Sequence, residues 1–191
     1  MSLDWTVLSD GELATFSTAG RQAAFAEIVR RYRQPVFRLA RASVGDADEA
    51  LDLVQETFVA AHQALSRYDG ARPMRTWLSA IALNKCRDWA RKRAVRRFLS
   101  FAVPIGGEAE AVVDDQVPTD DAVADRRELD RVTRAIATLP GNLREALVLR
   151  TIEGLSQAET AETLSISEKA VETRVHRARA RLLEKLNAAK G

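Results

Sequence analysis

Apolar residues in this chain recur at intervals of three and four, the spacing that places them on one face of a helix. Phe25, Ile28, Val29, Tyr32, Val36 and Leu39 form the first such stripe, with Pro35 as a kink or restart within it. Asp46-Ala47-Asp48-Glu49 predicts a helix start, because carboxylates there meet free amides and the positive end of the helix dipole. Leu51, Val54, Phe58, Ala61 and Leu65 make the next inward face, and Tyr68 to Pro73 reads as a loop. Trp77, Ile81 and Cys86 lie along a further helix that runs into Arg87, Arg91, Lys92, Arg93, Arg96 and Arg97. Leu129, Val132, Ile136 and Leu139 form a stripe that Pro140-Gly141 stops. No useful stretch alternates with period two, so no strand is expected and the fold class is all-α.

The segment from Leu143 to Leu186 has a more specific pattern. Leu143, Ala146, Leu147 and Arg150 suit a helix that ends near Glu153-Gly154, with Gly154 free to take positive φ. Ser156 then stands as an N-cap, and Glu159 three residues on completes a capping box. Ala158, Ala161 and Leu164 face inward on that short helix. Ser165-Ile166-Ser167 is a tight turn, with Ile166 apolar enough to plug between helices and Ser167 placed to cap the next one. Val171, Val175, Ala178, Leu182 and Leu186 form the inner face of this second, longer helix. A short and a long helix joined by a three-residue turn match a DNA-binding helix-turn-helix. The exposed positions of that helix include Lys169, Glu172, Thr173, His176, Arg177 and Lys185, with Arg174, Arg179 and Arg181 flanking them. The basic residues among them suit phosphates or the major-groove edge of guanine.

Composition adds boundaries. Of 191 residues, 46% are apolar and 29% charged, the balance of a folded chain, and aromatics are only 6%. The net charge of +2 hides a block pattern. Residues 1–100 hold 16 basic and 11 acidic residues, residues 101–125 hold 7 acidic and no basic ones, and residues 126–191 hold 13 and 9. The acidic block contains Pro104, Gly106, Gly107 and Pro118 and shows no sustained period from Glu108 to Asp125. It divides the chain into a domain at 1–97, a flexible acidic linker at 98–123 and a second small helical domain at 124–191. One cysteine excludes an internal disulfide, and Cys86, His62 and His176 lie too far apart for a zinc motif. No metal and no cofactor is expected. The absence of a long apolar run or a basic leader points to the cytoplasm, without membrane insertion.

Several segments together resemble the bacterial sigma factors of the sigma-70 family, in particular the extracytoplasmic-function (ECF) group. They are Asp52-Leu53-Val54-Gln55-Glu56-Thr57-Phe58, then Arg75 to Asn84, then Leu139-Pro140 through Arg144-Glu145-Ala146, and Glu153-Gly154-Leu155-Ser156. The resemblance spans roughly residues 22–97 and 126–186. It implies a region 2-like first domain that docks on the clamp helices of core RNA polymerase and melts the −10 promoter element. It implies a region 4-like second domain that reads the −35 element and meets the polymerase flap. It further implies an anti-sigma factor as partner and a stress or envelope/metal-response regulon.

Carried onto this sequence, the polymerase-binding residues are Asp52, Leu53, Gln55 and Glu56, and the −35 DNA residues are Ser167, Lys169, Glu172, Thr173, Arg174, His176 and Arg177. The −10 DNA residues are Tyr68, Arg72, Arg75, Asn84, Lys85, Asp88, Arg91 and Arg93. Capture of unstacked bases needs stacking surfaces and positive charge along the backbone, which this loop and helix supply. The arginines from Arg91 to Arg97 suit phosphates, because clustered cations release counterions together. Trp89 and Cys86 read as packing residues, and Trp77 as either a core residue or a DNA contact. Two places depart from the family pattern: Glu172 stands where a basic residue is frequent, and Pro73 and Met74 stand where polar loop residues are frequent. The alternative function is an autonomous helix-turn-helix regulator. The first domain argues against it, since a docking helix and a basic melting helix replace a sensor or dimerisation module. No glycine-rich phosphate loop, Ser/His/Asp set or metal cluster supports an enzyme, so no catalytic residue is assigned.

Overall fold

The computed structural model describes residues 3–102 and 120–188, and within them it contains eight α-helices and no strand. The first half holds α1 (Asp10–Thr18), α2 (Gln22–Val44), α3 (Ala47–Ala64) and α4 (Met74–Ala102). The second holds α5 (Asp120–Ala137), α6 (Gly141–Leu147), α7 (Gln157–Leu164) and α8 (Glu168–Ala188). Helix α4 continues beyond Arg97, and α5 begins before residue 124. Helix therefore covers both ends of the segment read as linker, while residues 103–119 lie outside the described residues.

The first four helices form a bundle around Leu13, Ile28, Leu39, Leu53, Met74, Leu78 and Leu83, all buried. Helix α2 runs through Pro35 without interruption. Gly45 ends it at φ 82°, donating its N–H to the Arg41 carbonyl at 2.8 Å. Asp46 starts α3 by accepting from the amides of Asp48 and Glu49 at 2.9 and 3.0 Å, as its sequence predicts.

The inward face of α3 differs from expectation. It comprises Ala50, Leu53, Val54, Thr57, Phe58 and Ala61. Leu53 is 3% exposed, whereas Leu51, read as inward, is 39% exposed. Thr57 lies in the middle of this face and satisfies its hydroxyl by donating to the Leu53 carbonyl at 2.6 Å, so a polar residue occupies a core position. Leu53 is thus core packing and not a docking residue on the surface. Met74 is also fully buried as the first residue of α4, and Leu129, read as inward, is 65% exposed.

Helix α1 is an element the apolar pattern does not reveal. Its start is a capping box: the Glu12 amide donates to the Ser9 hydroxyl, and the Glu12 carboxylate accepts from the Ser9 amide at 2.7 Å. Asp10 ties it to α2 by accepting from Tyr32 and from Arg31 at 3.1 Å. On α2, buried Glu27 accepts from Arg30 at 2.6 and 2.7 Å and from Arg31 at 2.8 Å. Hydrogen bonds from Arg30 and then Arg31 hold its carboxyl down at about 2, against the opposing cost of burial.

In the second half α6 passes into a π-helical turn, Val148–Ile152, where the Glu153 amide donates to the Val148 carbonyl at 3.0 Å. Gly154 takes φ 64°. Ser156 and Glu159 form the expected capping box, with the Glu159 amide 3.1 Å from the Ser156 hydroxyl and the Ser156 amide 2.7 Å from the Glu159 carboxylate. Ser165 turns the chain in the left-handed region at φ 53°, and Ser167 caps α8 through the Ala170 amide at 3.2 Å. Val171 and Ala178 are buried beneath α8. The two halves share one apolar cluster, running from Leu13 to Ala178 and including Ile136, Leu139, Leu143 and Leu149. Helix α5 and the π-turn pack on α2, and α7 packs on α4.

Candidate nucleic-acid interface

Three surfaces carry the residues singled out in the sequence. The first is the outer face of α3, fixed by the burial of Leu53, Val54 and Phe58 on its inner side. Asp52, Gln55 and Glu56 are exposed there, and Glu56 faces Lys85 of α4 at 3.7 Å. Beside them a shallow groove between α2 and α3 is lined by Phe25, Val29, Phe58, Val59 and His62. Val59 is 59% exposed within it, and Phe25 meets the His62 ring edge-on at 4.8 Å.

The second surface is the loop before α4 and the helix itself. The Tyr68 ring lies 5.1 Å from Trp77, and its hydroxyl donates to the Arg72 carbonyl, so Tyr68 braces the loop. Trp89 is also structural: its indole N–H donates to Glu49 at 2.6 Å, and the Arg93 guanidinium stands 5.1 Å above its ring. Asn84 is exposed and accepts from Arg87 at 3.1 Å, and Asp88 pairs with Arg91. Arg91, Lys92, Arg93 and Arg96 are exposed along the end of the helix.

Part of this surface is occupied by the second half of the chain. Arg87 makes a two-pronged contact with Glu145 of α6, Nε and Nη2 lying 2.8 and 2.7 Å from its two carboxylate oxygens. Arg75 Nε is 3.3 Å from Glu153, and Arg72 pairs with Glu162 of α7. The Thr76 hydroxyl lies 3.4 Å from Glu159. Behind these pairs Arg41 of α2 meets Asp130 of α5 at 2.9 Å. Glu153 is 1% exposed, and its Oε1 has no hydrogen-bond partner. Burial pushes its carboxyl up, with Arg75 acting in the opposite direction. Sequence inspection missed all four α4-facing partners, Glu145, Glu153, Glu159 and Glu162, because their partners lie 58 to 90 residues away.

The third surface is α8. Lys169, Glu172, Thr173, His176 and Arg177 are exposed, and Arg174 is half-buried. Thr173 donates to the Lys169 carbonyl at 2.9 Å within the helix. Gln157 reaches from the start of α7 to the Glu168 carbonyl at 3.1 Å and fixes the two helices against each other. A cleft at this junction is lined by Arg150, Gln157, Lys169, Glu172, Thr173 and His176. Ser167, read as a DNA contact, already uses its hydroxyl as the cap of α8. Lys169, Glu172, Thr173, His176 and Arg177 therefore lie on the exposed side of α8, with Arg174 at its edge.

Cys86 is buried at 5% exposure, and burial pushes its thiol up to about 11. Among the described residues no group of His, Cys, Asp and Glu could hold a metal ion, and no helix is long and apolar enough to cross a membrane.

Comparison with known proteins agrees with this division. Residues 28–96 match the family model of sigma-70 region 2, and residues 129–182 match that of sigma-70 region 4. The chain is 42% identical over 182 residues to the RNA polymerase sigma factor CnrH of Cupriavidus metallidurans, covering 94% of this chain and 95% of that protein. It is 34% identical over 171 residues to the ECF RNA polymerase sigma factor SigW of Bacillus subtilis, covering 87% and 91%. Among solved structures it is similar to CnrH in complex with the cytosolic domain of CnrY, with a TM-score of 0.69, 36% identity, and 94% and 97% of the two chains covered. It is also similar to RpoE bound to the anti-sigma factor NepR from Bartonella quintana, with a TM-score of 0.67, 26% identity, and 85% and 96% covered. A region 2 bundle joined to a region 4 helix-turn-helix, with this identity to sigma factors along nearly the whole chain, places the protein in the sigma-70 family, in its extracytoplasmic-function group.

Proposed function

We propose that this chain is a promoter-specificity subunit: it binds core RNA polymerase, reads −35 and −10 elements and starts transcription without catalysis of its own. The observation that carries the reading is the pairing of a basic α4, in a region 2 bundle, with an outward-facing reader helix α8 in the same chain. Asp52, Gln55 and Glu56 form the polymerase-docking face on the clamp helices, and the second domain meets the flap. Arg72, Arg75, Asn84, Lys85, Asp88, Arg91 and Arg93 serve the −10 strand, with Tyr68 holding the loop. Lys169, Glu172, Thr173, Arg174, His176 and Arg177 serve the −35 duplex, with Ser167 setting the start of their helix. An anti-sigma factor is the expected inhibitor, and the structure of the similar sigma factor RpoE with the anti-sigma factor NepR supports that expectation. The site of action is the cytoplasm, where polymerase and promoter DNA are found, and the genes served form a stress or envelope/metal-response set.

Reconstitution with bacterial core polymerase and a promoter library tests the proposal. Stable association and initiation from a defined subset of promoters is the expected result. Sequence-specific DNA binding without polymerase association would refute it and favour an autonomous regulator.

A further inference from the structure

We propose that the N-terminal strap, residues 5–18, positions the strand-capturing loop, residues 68–73, with Asp10 as its anchor and Gly11 as its point of contact. The strap precedes the region 2 match, which begins at residue 28. The inference rests on the −10 assignment of the loop made above.

One arginine of α2 clasps the strap. Arg31 Nη2 donates to the carbonyls of Thr6 and Leu8 at 2.9 and 2.8 Å and reaches that of Trp5 at 3.3 Å. Its Nη1 donates to Asp10 at 3.1 Å, and its Nε to buried Glu27 at 2.8 Å. All three nitrogens are engaged, so the planar fork is held in one orientation. Tyr32, the next residue of α2, donates its hydroxyl to the other oxygen of Asp10. Asp10 is therefore gripped by two consecutive residues of α2, which fixes the start of α1 along that helix. Trp5 packs edge-on against Phe16 at 5.7 Å, and buried Leu13 docks the middle of α1.

The residue after the anchor touches the loop. A Cβ at position 11 would lie 3.8 Å from the Gly70 Cα, and one at position 70 would lie 3.6 Å from the Gly11 Cα. Neither glycine has a positive φ. Their backbone conformation does not require glycine, so what they supply is the close approach of two bare backbones. Three bonds shape the loop from within. The Tyr68 hydroxyl donates to the Arg72 carbonyl, the Ala71 amide donates to the Asp69 carboxylate at 3.0 Å, and the Arg72 amide donates to the Asp69 carbonyl at 3.0 Å. Internal bonds give a loop its form and leave its place to its neighbours. Tyr68 leans on Trp77 on one side, and Gly70 rests on α1 on the other. Burial and then the nearby Asp10 charge push the Tyr68 phenol up, which keeps it a donor to the Arg72 carbonyl. A pocket for an unstacked base holds it better when its walls are fixed beforehand, because ordering them on binding costs affinity. Asp10 is thus a positioning residue, acting on the strand only through α1 and the loop.

The experiment uses the full chain assembled with core polymerase. One probe is a fork-junction DNA, without a −35 element, made from a promoter that the reconstitution selects. A twin probe is changed at the −10 base that matters most for initiation. Gly11→Ile places a branched, stiff side chain against Gly70 from the strap, leaving the loop's own residues intact. Gly11→Ala adds only a Cβ at ordinary contact distance. Asp10→Asn with Tyr32→Phe loosens the anchor and is the second route, in case isoleucine disturbs folding. Ser156→Ala, which removes a cap in the second half of the chain, shows the effect of lost stability alone.

If a released loop is in place about a tenth of the time, affinity for the preferred strand falls about tenfold. The twin is held through the α4 cations without the captured base, so its affinity stays the same. Expected are this selective loss in Gly11→Ile and in the anchor pair, and wild-type behaviour in Gly11→Ala and Ser156→Ala. Equal weakening on both probes, or unchanged preference in both strap variants, would overturn the proposal. Arg72→Ala in the wild-type chain separates its failure from that of its premise. If that change lowers strand affinity while the strap variants do not, the strap is refuted and the −10 reading stands. If it changes nothing, the −10 assignment of the loop is wrong and the strap falls with it.

Discussion

Alanine at Leu53 separates packing from docking on α3. The side chain is 3% exposed, between Ala50 and Thr57 on the buried face. Leucine to alanine removes three carbons, and at about 0.8 kcal/mol per carbon the lost transfer energy is about 2.4 kcal/mol. The cavity left behind adds to this, so the total falls within about 2–5 kcal/mol. In a chain of this length each kcal/mol moves the midpoint by about 2–4 °C, so a loss near 3 kcal/mol lowers it by about 6–12 °C. Asp52 and Gln55 are exposed, and their alanine variants are expected to stay within about 0.5 kcal/mol of wild type. Calorimetry measures the first effect, and titration of core polymerase, well below every melting midpoint, measures the second. Leu53→Ala should melt early yet bind polymerase normally once folded, while Asp52→Ala with Gln55→Ala should melt normally and bind poorly. A Leu53 variant with unchanged stability and lost polymerase binding would refute the packing assignment.

Acid stability should depend on Glu27, whose folded carboxyl is held at about 2 against an ordinary value of 4.5. Its contribution is complete above about pH 4.5 and is lost as pH falls toward 2, so Glu27→Gln should flatten the melting-temperature profile in that window; an equally steep profile would contradict this. Ser156→Ala should cost about 1 kcal/mol by removing a cap, with Ser156→Asp retaining most of it, as thermal melts would show. Arg177→Ala should cost about 1–3 kcal/mol at one base pair of the −35 duplex, and a loss spread evenly over all sequences would point instead to a phosphate contact. Cys86 should react slowly with a thiol reagent at pH 8 and promptly in denaturant; a fast native reaction would mean that its cover opens readily.

What the sequence makes legible here is what is local. Gly154, Ser156, Glu159 and Ser167 announce the helix-turn-helix because a cap or a positive φ needs partners only a few residues away. The same kind of signal, Ser9 with Glu12, marks α1, yet the helix buries only Leu13, Ala14 and Ser17 and offers no stripe to find. On α3 the apolar residues at 51, 54, 58, 61 and 65 form a valid helical face, but so do 50, 53, 54, 57, 58 and 61. A threonine at the centre, content with a carbonyl of its own helix, conceals the second set. The π-turn after Leu147 is invisible because it changes the hydrogen-bond register without changing the residues' character. The seam between domains is tertiary throughout. Nothing near Arg87 in sequence says that its partner is Glu145, because on charge pattern alone each is an ordinary surface residue.

Ser165 carries a consequence for how DNA preference could be altered in this protein. Its φ of 53° is the turn on which the angle between α7 and α8 depends. Left-handed backbone costs most L-residues about 1–2 kcal/mol and costs glycine and asparagine less. A library randomised over the turn and the outer face of α8 should therefore return two kinds of position. Position 165 would come back restricted to Ser, Asn, Asp or Gly whatever promoter was used for selection. Positions 172, 173, 176 and 177 would come back diverse and correlated with the promoter. The hinge and the reading residues would thus vary independently, leaving a regulator whose target can be rewritten while its frame stays fixed.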